Sequence, residues 1–223
     1  MLRLPPDALR GGVFPADHLD HVGALQVTGA PGPLVYGPGA VLQDVLPTVR
    51  ATMTHPGDGL AELGRGLAEA LAPRAGRLIG PAWYGYVSAD TLTAAPGPGV
   101  VRALSQADLP LLARLHEQTP PGEVTESGTD GLPAFGVVEG GMLLAVACLG
   151  RWRAMPTIGV LTHPRARRRG LAAQVVTTAA AAGLGQRTVV QYRAFSANTA
   201  SISVARRCGF AHYCDGLIVD LPS

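Results

Sequence analysis

The stretch Thr162–Val176, THPRARRRGLAAQVV, places four arginines within five positions, directly before a glycine and a run of small and aliphatic residues. An apolar strand pattern ends at Pro164, and a helical pattern begins at about Arg169 or Gly170. The first N–H groups of a helix have no partner inside it and lie at the positive end of the helix dipole. Because Gly170 leaves room for close approach, this turn predicts a site for a diphosphate- or triphosphate-type anion.

The arginines have an alternative interpretation as solvated side chains at the start of a helix. Cations at a helix N-terminus are unfavourable by about 0.3–1 kcal/mol each. Several of them before one helix conflict with the dipole unless an anion binds there, which favours the anion site. The turn matches neither GxxxxGK[ST] nor GxGxxG, so it is not of the Walker or dinucleotide-binding type.

The composition narrows the class of protein. With 47% hydrophobic and 15% charged residues among 223, the chain is expected to form one large or two small globular domains. A formal net charge of +2 argues against broad electrostatic capture of nucleic acid. The three cysteines form no disulfide framework and are expected in the core. Because no signal-peptide core and no run of about 18 apolar residues occurs, we expect a cytoplasmic protein with no membrane partner.

A break at Ala94–Gly99, AAPGPG, divides the chain into residues 1–98 and 99–223. Before the break, strand patterns (21–29, 33–38, 82–89) and helical patterns (40–53, 59–74) predict an additional α/β half of unknown role. After it, the order is strand, helix, short helix or loop, three strands, helix, strand, helix, strand. This order predicts an α/β fold, α+β in some schemes, with a mixed central sheet and helices on both faces.

Two helix starts in the second half carry capping signals. Ser105 is followed three residues later by Asp108, which completes a capping box. Asn198 precedes a helical pattern that Gly209 ends, as an N-cap and a C-terminal glycine would. We therefore expect one helix to begin just after Ser105 and another just after Asn198.

Two blocks of the second half resemble the GNAT superfamily of acyl-CoA N-acyltransferases. The family's pyrophosphate signature has Arg or Gln, then Gly three residues later, then Gly or Ala two residues later, and Arg167, Gly170 and Ala172 match it. Asn198–Phe210, NTASISVARRCGF, is similar to a later family segment in which Asn opens a short helix that ends in Gly–Phe. The resemblance covers about 100–221 and leaves out 1–99. Thr162–Pro164 and QYRAFSANTAS look most like the FR47-like branch.

The resemblance implies acetyl-CoA, used without a metal, in a V-shaped split between two central parallel strands. The strand that ends at Val160, Leu161 and Thr162 would offer backbone groups to the pantetheine arm. Asn198 and Ser201 would contact that arm from its other side. The pyrophosphate would meet the turn made of Arg167, Arg168, Arg169, Gly170, Leu171 and Ala172.

The sequence departs from the family pattern at both usual catalytic positions. The tyrosine that many members place four residues before the Gly–Phe glycine is Ala205 here, and the strand before the turn has no carboxylate. As a substitute we consider Glu126, whose carboxylate would orient the amine or act as its base, with Glu123 as a second candidate. The alternative interpretation of Glu126 is an exposed acid in a loop. The hydroxyl of Tyr213 or Tyr192 is a candidate acid for the leaving thiolate. The alternative interpretation of both tyrosines is that they are half-buried aromatic residues of strands. His163 is expected on the outer side of its strand.

Three functions are compatible with these features to different degrees. The first is transfer of acetyl from acetyl-CoA to a primary amine of a small molecule or peptide. The second is an acyl-CoA-binding module with little or no turnover, and the third, contact with nucleic acid through the arginines, is disfavoured by the low net charge. Residues 1–98 are interpreted as a degenerate second copy of the fold, a lid, or a dimerisation element that would make a homodimer.

Overall fold

The computed structural model describes residues 12–53, 59–72, 74, 76–152 and 155–221. Contacts between residues divide the chain into two compact units. The first unit comprises Met1–Tyr84, Phe195–Ala197 and Tyr213–Ser223, and the second comprises Gly85–Ala194 and Asn198–His212. The predicted domain boundary between residues 98 and 99 stays a prediction. Contacts group residues that are close in space and do not test where one domain ends in the sequence.

The described residues form ten strands and six α-helices. The strands are β1 (Gly12–Pro15), β2 (His21–Val27), β3 (Leu34–Gly37), β4 (Leu78–Ser88), β5 (Val101–Ala103), β6 (Ala134–Glu139), β7 (Met142–Trp152), β8 (Met155–Thr162), β9 (Val189–Phe195) and β10 (Ala211–Asp220). The helices are α1 (Gly39–Met53), α2 (Leu60–Leu71), α3 (Leu109–Glu117), α4 (Pro121–Ser127), α5 (Leu171–Leu184) and α6 (Thr199–Arg207). From β5 to β10 this is the predicted order of elements.

The first unit has a sheet in the order β1-β3-β2-β10-β4. Strand β10 pairs antiparallel with β2 over Cys214–Asp220, so the last strand of the chain joins one of the first. Helices α1 and α2 pack together, and α2 buries Leu63, Leu67 and Leu71 at helical spacing. These leucines join the core of this unit with residues of β2, β3 and β10.

The second unit has a mixed sheet in the order β9-β8-β7-β6-β5. The pairs β5–β6, β6–β7 and β7–β8 are antiparallel, and β8–β9 is parallel. Seven consecutive residues of β7, Leu143–Leu149, are buried, as expected for a strand covered on both faces. Helices α3 and α5 both pack on β7. The predicted fold class, a mixed α/β sheet flanked by helices, is confirmed.

Helix α5 is apolar around most of its circumference and is accordingly buried. The small residue Gly183 allows close packing, since a Cβ there would lie 2.8 Å from Cγ2 of Val190. Gln174 is buried as well, and its side chain exchanges two hydrogen bonds with the backbone of Gly99, at 3.2 and 3.1 Å. Gly99, the last residue of the predicted break, is therefore held against this helix.

Local expectations about caps and cysteines are confirmed. Asp108 accepts hydrogen bonds from the backbone N–H and the hydroxyl of Ser105, at 2.8 and 3.0 Å. Arg102 also pairs with Asp108, and these hydrogen bonds hold the pKa of that carboxyl below its usual range. All three cysteines are buried and free, and burial raises the pKa of the Cys148 thiol to about 11.

Candidate functional site

The parallel strands β8 and β9 separate after a short paired region. Thr157 pairs with Gln191 and Ile158 pairs with Tyr192, and within the described residues these are the only pairs between the two strands. Strand β8 continues to Thr162 and β9 continues to Phe195. The strands thus form a split in the sheet, with the Ile158–Tyr192 pair at its apex and the turn after Thr162 at its open end.

The alternation of backbone groups along β8 decides which residues face the split. The N–H of His163 donates to the carbonyl of Leu144, at 2.9 Å, and the register between β7 and β8 is continuous up to that point. Residues in an antiparallel pair alternate between facing the partner and facing away. Leu161 therefore directs its N–H and C=O toward β7, whereas Val160 and Thr162 direct theirs toward the split.

The turn at the open end has the backbone shape of an anion site. Gly170 has φ 81 and is the N-cap of α5, and its carbonyl accepts from the N–H of Gln174. No side chain caps this helix end, so the N–H groups of Leu171, Ala172 and Ala173 have no partner inside the helix. A Cβ at Gly170 would meet nothing within 4 Å, so the space in front of the helix is open.

The structure provides carboxylate partners for two of the four arginines. Arg167 pairs with Glu123 at 2.6 Å and Arg169 pairs with Glu139 at 3.1 Å. All four side chains are partly exposed, and pairs of this kind contribute only about 0–1 kcal/mol. Arg165 and Arg168 are exposed and form no ion pair within the part of the chain that the structure describes. The turn therefore keeps an excess of positive charge at the helix N-terminus.

His163 is buried under the turn, so the expectation that it lies on the outer side of its strand is wrong. Its Nδ1 accepts from the N–H of Arg165 at 3.1 Å, and its Nε2 lies 3.1 Å from Oε1 of Gln118. An accepting Nδ1 carries no hydrogen, so Nε2 is the donor to Gln118. The physical reason for the burial is the 3-10 turn at Pro164–Ala166, which folds the chain back over the imidazole.

A cavity of about 490 Å³ lies beside this turn. Its two arginines, Arg165 and Arg169, belong to the turn. The rest of its lining comes from the end of α3, the β6–β7 hairpin and the segment after β8. The lining residues are Gln118, Glu139, Met142, Leu144, His163, Pro164, Arg165, Ala166 and Arg169. The cavity therefore shares Arg165 and Arg169 with the turn.

Helix α6 begins beside the apex of the split. Oδ1 of Asn198 accepts from the N–H of Ser201 at 3.1 Å, which confirms the predicted N-cap. The Ser201 hydroxyl lies 2.9 Å from the hydroxyl of Tyr192, the last residue of β9 that pairs with β8. Tyr192 is 1% exposed and packs edge-on against Phe210 at 5.4 Å between ring centroids. Burial raises the pKa of its phenol.

The turn after α4 lies against β8 at the split, a contact that the sequence analysis missed. A Cβ at Gly159 would collide with the backbone carbonyls of Gly128 and Ser127, so only glycine fits there. The Thr129 hydroxyl lies 2.7 Å from that of Ser127 and 3.0 Å from Nε2 of His116. A glycine in a strand was the available signal, because it often marks close approach of another backbone.

The two predicted catalytic residues belong to different units. Glu126 is exposed on α4 in the second unit. Tyr213 is on β10 in the first unit and is 48% exposed. Their roles stay predictions. Ala205, at the usual tyrosine position, is fully buried in α6.

Comparison with known proteins identifies the domain. The Acetyltransferase (GNAT) family matches residues 103–210. Residues 103–210 are therefore a domain of the GNAT superfamily. GNAT proteins are acyl-CoA-dependent N-acyltransferases, and this general activity class applies to that domain.

Solved GNAT structures are similar in fold. A GNAT-family acetyltransferase from Novosphingobium aromaticivorans has a TM-score of 0.50 and 22% identity, over 67% of this chain and 68% of that one. One from Colwellia psychrerythraea has a TM-score of 0.52 and 14% identity, over 85% and 76%. A GCN5-related N-acetyltransferase from Kribbella flavida has a TM-score of 0.51 and 18% identity, over 71% and 65%. At these identities the likeness concerns the fold alone. No curated protein matches the chain.

The described residues lack two features. None of their helices is long and apolar enough to cross a membrane. No group of three or more His, Cys, Asp or Glu residues is placed to hold a metal ion there.

Proposed function

We propose that the second unit transfers an acetyl group from acetyl-CoA to a primary amine of a small molecule or peptide. The observation that carries this proposal is the split between β8 and β9, with the uncapped N-terminus of α5 at its open end. An anion site and a slot lined by free backbone groups, joined end to end, suit a diphosphate attached to a chain that contains amides.

The pyrophosphate would bind at the open end of the split. The N–H groups of Gly170, Leu171 and Ala172 would donate to its oxygens, as helix N-termini do for phosphates. The side chains of Arg167, Arg168 and Arg169 would add charge. The pyrophosphate would compete with Glu123 for Arg167, and exposed pairs are weak enough for this exchange.

The pantetheine arm would lie in the split. Its amides would pair with the backbone groups of Val160 and Thr162, which the pairing pattern leaves free, while Leu161 between them packs its side chain in the core. Asn198 and Ser201 would line the other side. From Thr162 to Ile158 the strand rises roughly 13 Å at about 3.3 Å per residue. An arm of about twelve bonds spans roughly 14 Å when extended, so the thioester would reach the apex.

The chemistry would be direct attack of the amine nitrogen on the thioester carbonyl. A C–N bond forms, the C–S bond breaks, and its electron pair leaves with sulfur. The amine proton must go to a base, for which Glu126 is the proposed carboxylate, directly or through water. A backbone N–H of the split strand would stabilise the carbonyl oxygen as it gains charge. The role of Tyr213 as a hydroxyl donor to the leaving thiolate stays a prediction from the sequence, because Tyr213 belongs to the first unit.

Binding measurements test the cofactor assignment. Acetyl-CoA is expected to raise the melting temperature of the protein, whereas ATP and a single-stranded oligonucleotide are not. Arg167→Ala is expected to weaken acetyl-CoA binding about tenfold, since a hydrogen bond to a charged group contributes about 1.5–3 kcal/mol. Arg187→Ala removes the same charge from an exposed position beyond the other end of α5 and is the matched control. Equal affinities of the two variants would contradict the proposal.

A second candidate function is an acyl-CoA-binding module with little turnover. It is favoured by Ala205 at the usual tyrosine position and by the absence of a carboxylate on β8. Release of free thiol from acetyl-CoA in the presence of a panel of primary amines separates the two functions. Amine-dependent release supports the transferase, and binding without release supports the module. Placement near the FR47-like branch stays a prediction.

A further inference from the structure

Tyr192 and Ser201 form a pair of hydroxyl groups at the apex of the split. Tyr192 comes from β9, at the point where the pairing with β8 ends, and Ser201 comes from the first turn of α6. Their oxygens are 2.9 Å apart. Tyr192 is almost fully buried, whereas Ser201 is half-buried, so Ser201 is the member of the pair that a ligand can reach.

Burial decides which hydroxyl donates. Among the described residues, the Tyr192 hydroxyl has Ser201 as its hydrogen-bond partner and no other. A buried O–H without an acceptor is costly, so the Tyr192 hydrogen points to the oxygen of Ser201. The backbone N–H of Ser201 is already used on Asn198. The Ser201 hydroxyl hydrogen therefore has no acceptor in the described part of the chain and is free to donate to a ligand.

We propose that the Ser201 hydroxyl donates a hydrogen bond to the sulfur of the leaving thiolate, and that Tyr192 is the positioning residue that holds it. This inference rests on the proposed function, because the sulfur reaches the apex only if the arm of acetyl-CoA occupies the split. It assigns to Ser201 a role at the reacting atoms, in addition to lining the arm.

The step balances without transfer of the serine proton. When the amine attacks, the C–S electron pair moves to sulfur, and the negative charge there accepts the Ser201 hydrogen bond. The amine proton leaves to the base or to water, and the thiolate takes a proton from water once the product has formed. A serine hydroxyl is far less acidic than a thiol, so Ser201 donates a hydrogen bond and keeps its proton. Burial raises the pKa of Tyr192, so that phenol stays protonated and donates to Ser201 while Ser201 donates to the sulfur.

The acidity of the bound CoA thiol tests the inference without an acceptor amine. Free CoA is the probe, and its thiolate is followed by ultraviolet absorbance during a pH titration, against the same protein with desulfo-CoA. A donor to the thiolate makes the bound thiol more acidic. Ser201→Ala is expected to reduce that acidity by about tenfold or more, the usual effect of a hydrogen bond to a charged group. Tyr192→Phe is expected to reduce it by a smaller factor.

Two variants serve as controls. Ser201→Thr keeps the hydroxyl and is expected to keep the thiol as acidic as in the unchanged protein. Ser203→Ala removes an exposed hydroxyl on the same helix, which donates to the carbonyl of Thr199 at 2.7 Å, and is expected to change nothing. With acetyl-CoA and the best amine of the panel, Ser201→Ala is expected to lower kcat with little change in KM, and Ser201→Thr to restore it.

The possible failures are distinguishable. If CoA does not bind to the unchanged protein, the proposed function fails and the inference fails with it. If CoA binds and the thiol is equally acidic in the unchanged protein and in Ser201→Ala, the inference is overturned while the proposed function stands. Loss of the Ser201→Ala fold is excluded by its melting temperature, and Ser201→Thr then decides whether the hydroxyl matters.

Discussion

The open end of the split and its apex differ in how the chain builds them. The open end is one continuous stretch, Thr162 to Ala172, in which a proline, four arginines and a glycine signal the turn. The apex is built from β8, β9, α6 and the turn after α4, which are far apart in the chain. A predicted phosphate site can thus depend on one local stretch, whereas the proposed place of bond change is assembled by tertiary contacts.

The largest effect is expected from Gly170→Asp at the open end. Its carboxylate would face the pyrophosphate, and juxtaposed like charges cost several kcal/mol, so acetyl-CoA affinity should fall by about 100-fold or more. Aspartate suits an N-cap and tolerates positive φ at a cost of roughly 1 kcal/mol, so folding stability should change little. Calorimetric titration and a thermal melt measure the two quantities. Gly170→Asn is the neutral control, and equal affinity in both variants would remove the anion site from this turn.

At the apex, Gly159→Ala is expected to destabilise the fold. The new methyl group would overlap the carbonyls of Ser127 and Gly128, and overpacking of this kind costs about 1–3 kcal/mol. Urea unfolding followed by circular dichroism measures the free energy. Gly122→Ala, in α4 with open space around it, is the control and should be neutral or stabilising. If both variants unfold at the same urea concentration, the close approach of the α4 turn to β8 is wrong.

Asn198 tests whether one residue at the apex both caps a helix and contacts the cofactor arm. Asn198→Ala removes the N-cap of α6 and should lower stability by about 1 kcal/mol. Asn198→Asp retains an oxygen for the Ser201 N–H and should keep that stability. Both variants lose the amide donor proposed to contact the cofactor arm, so acetyl-CoA affinity should fall in both. An affinity that falls only in the unstable variant would assign Asn198 to the cap alone.

The smallest effect is expected from Glu123→Gln, and its sign is the informative part. The change releases Arg167 from an exposed ion pair, so acetyl-CoA affinity should rise about two- to threefold at low salt. Glu117→Gln alters the same charge on an exposed residue of α3 outside the ion pairs described here. If acetyl-CoA affinity rises no more in Glu123→Gln than in Glu117→Gln, Arg167 does not exchange Glu123 for the pyrophosphate.

Several predictions from sequence were confirmed because their causes are local. The capping box at Ser105 and the N-cap at Asn198 each depend on residues three positions apart. The leucines of α2 and the order of elements from β5 to β10 follow from hydrophobic periodicity. The burial of His163 was missed because the turn at Pro164–Ala166 covers it and Gln118, forty-five residues earlier, binds it.

The sequence by itself indicated the family, the order of elements from β5 to β10 and the turn for which a phosphate site is predicted. Each of these depends on residue types within a few positions of one another, where propensity, caps and charge act directly. Only the tertiary structure decided that β10 pairs with β2, and that Val160 and Thr162 turn their backbone groups toward the split. It alone joined Tyr192 to Ser201. Register and pairing depend on which distant segments pack together, and that follows from burial of the whole core.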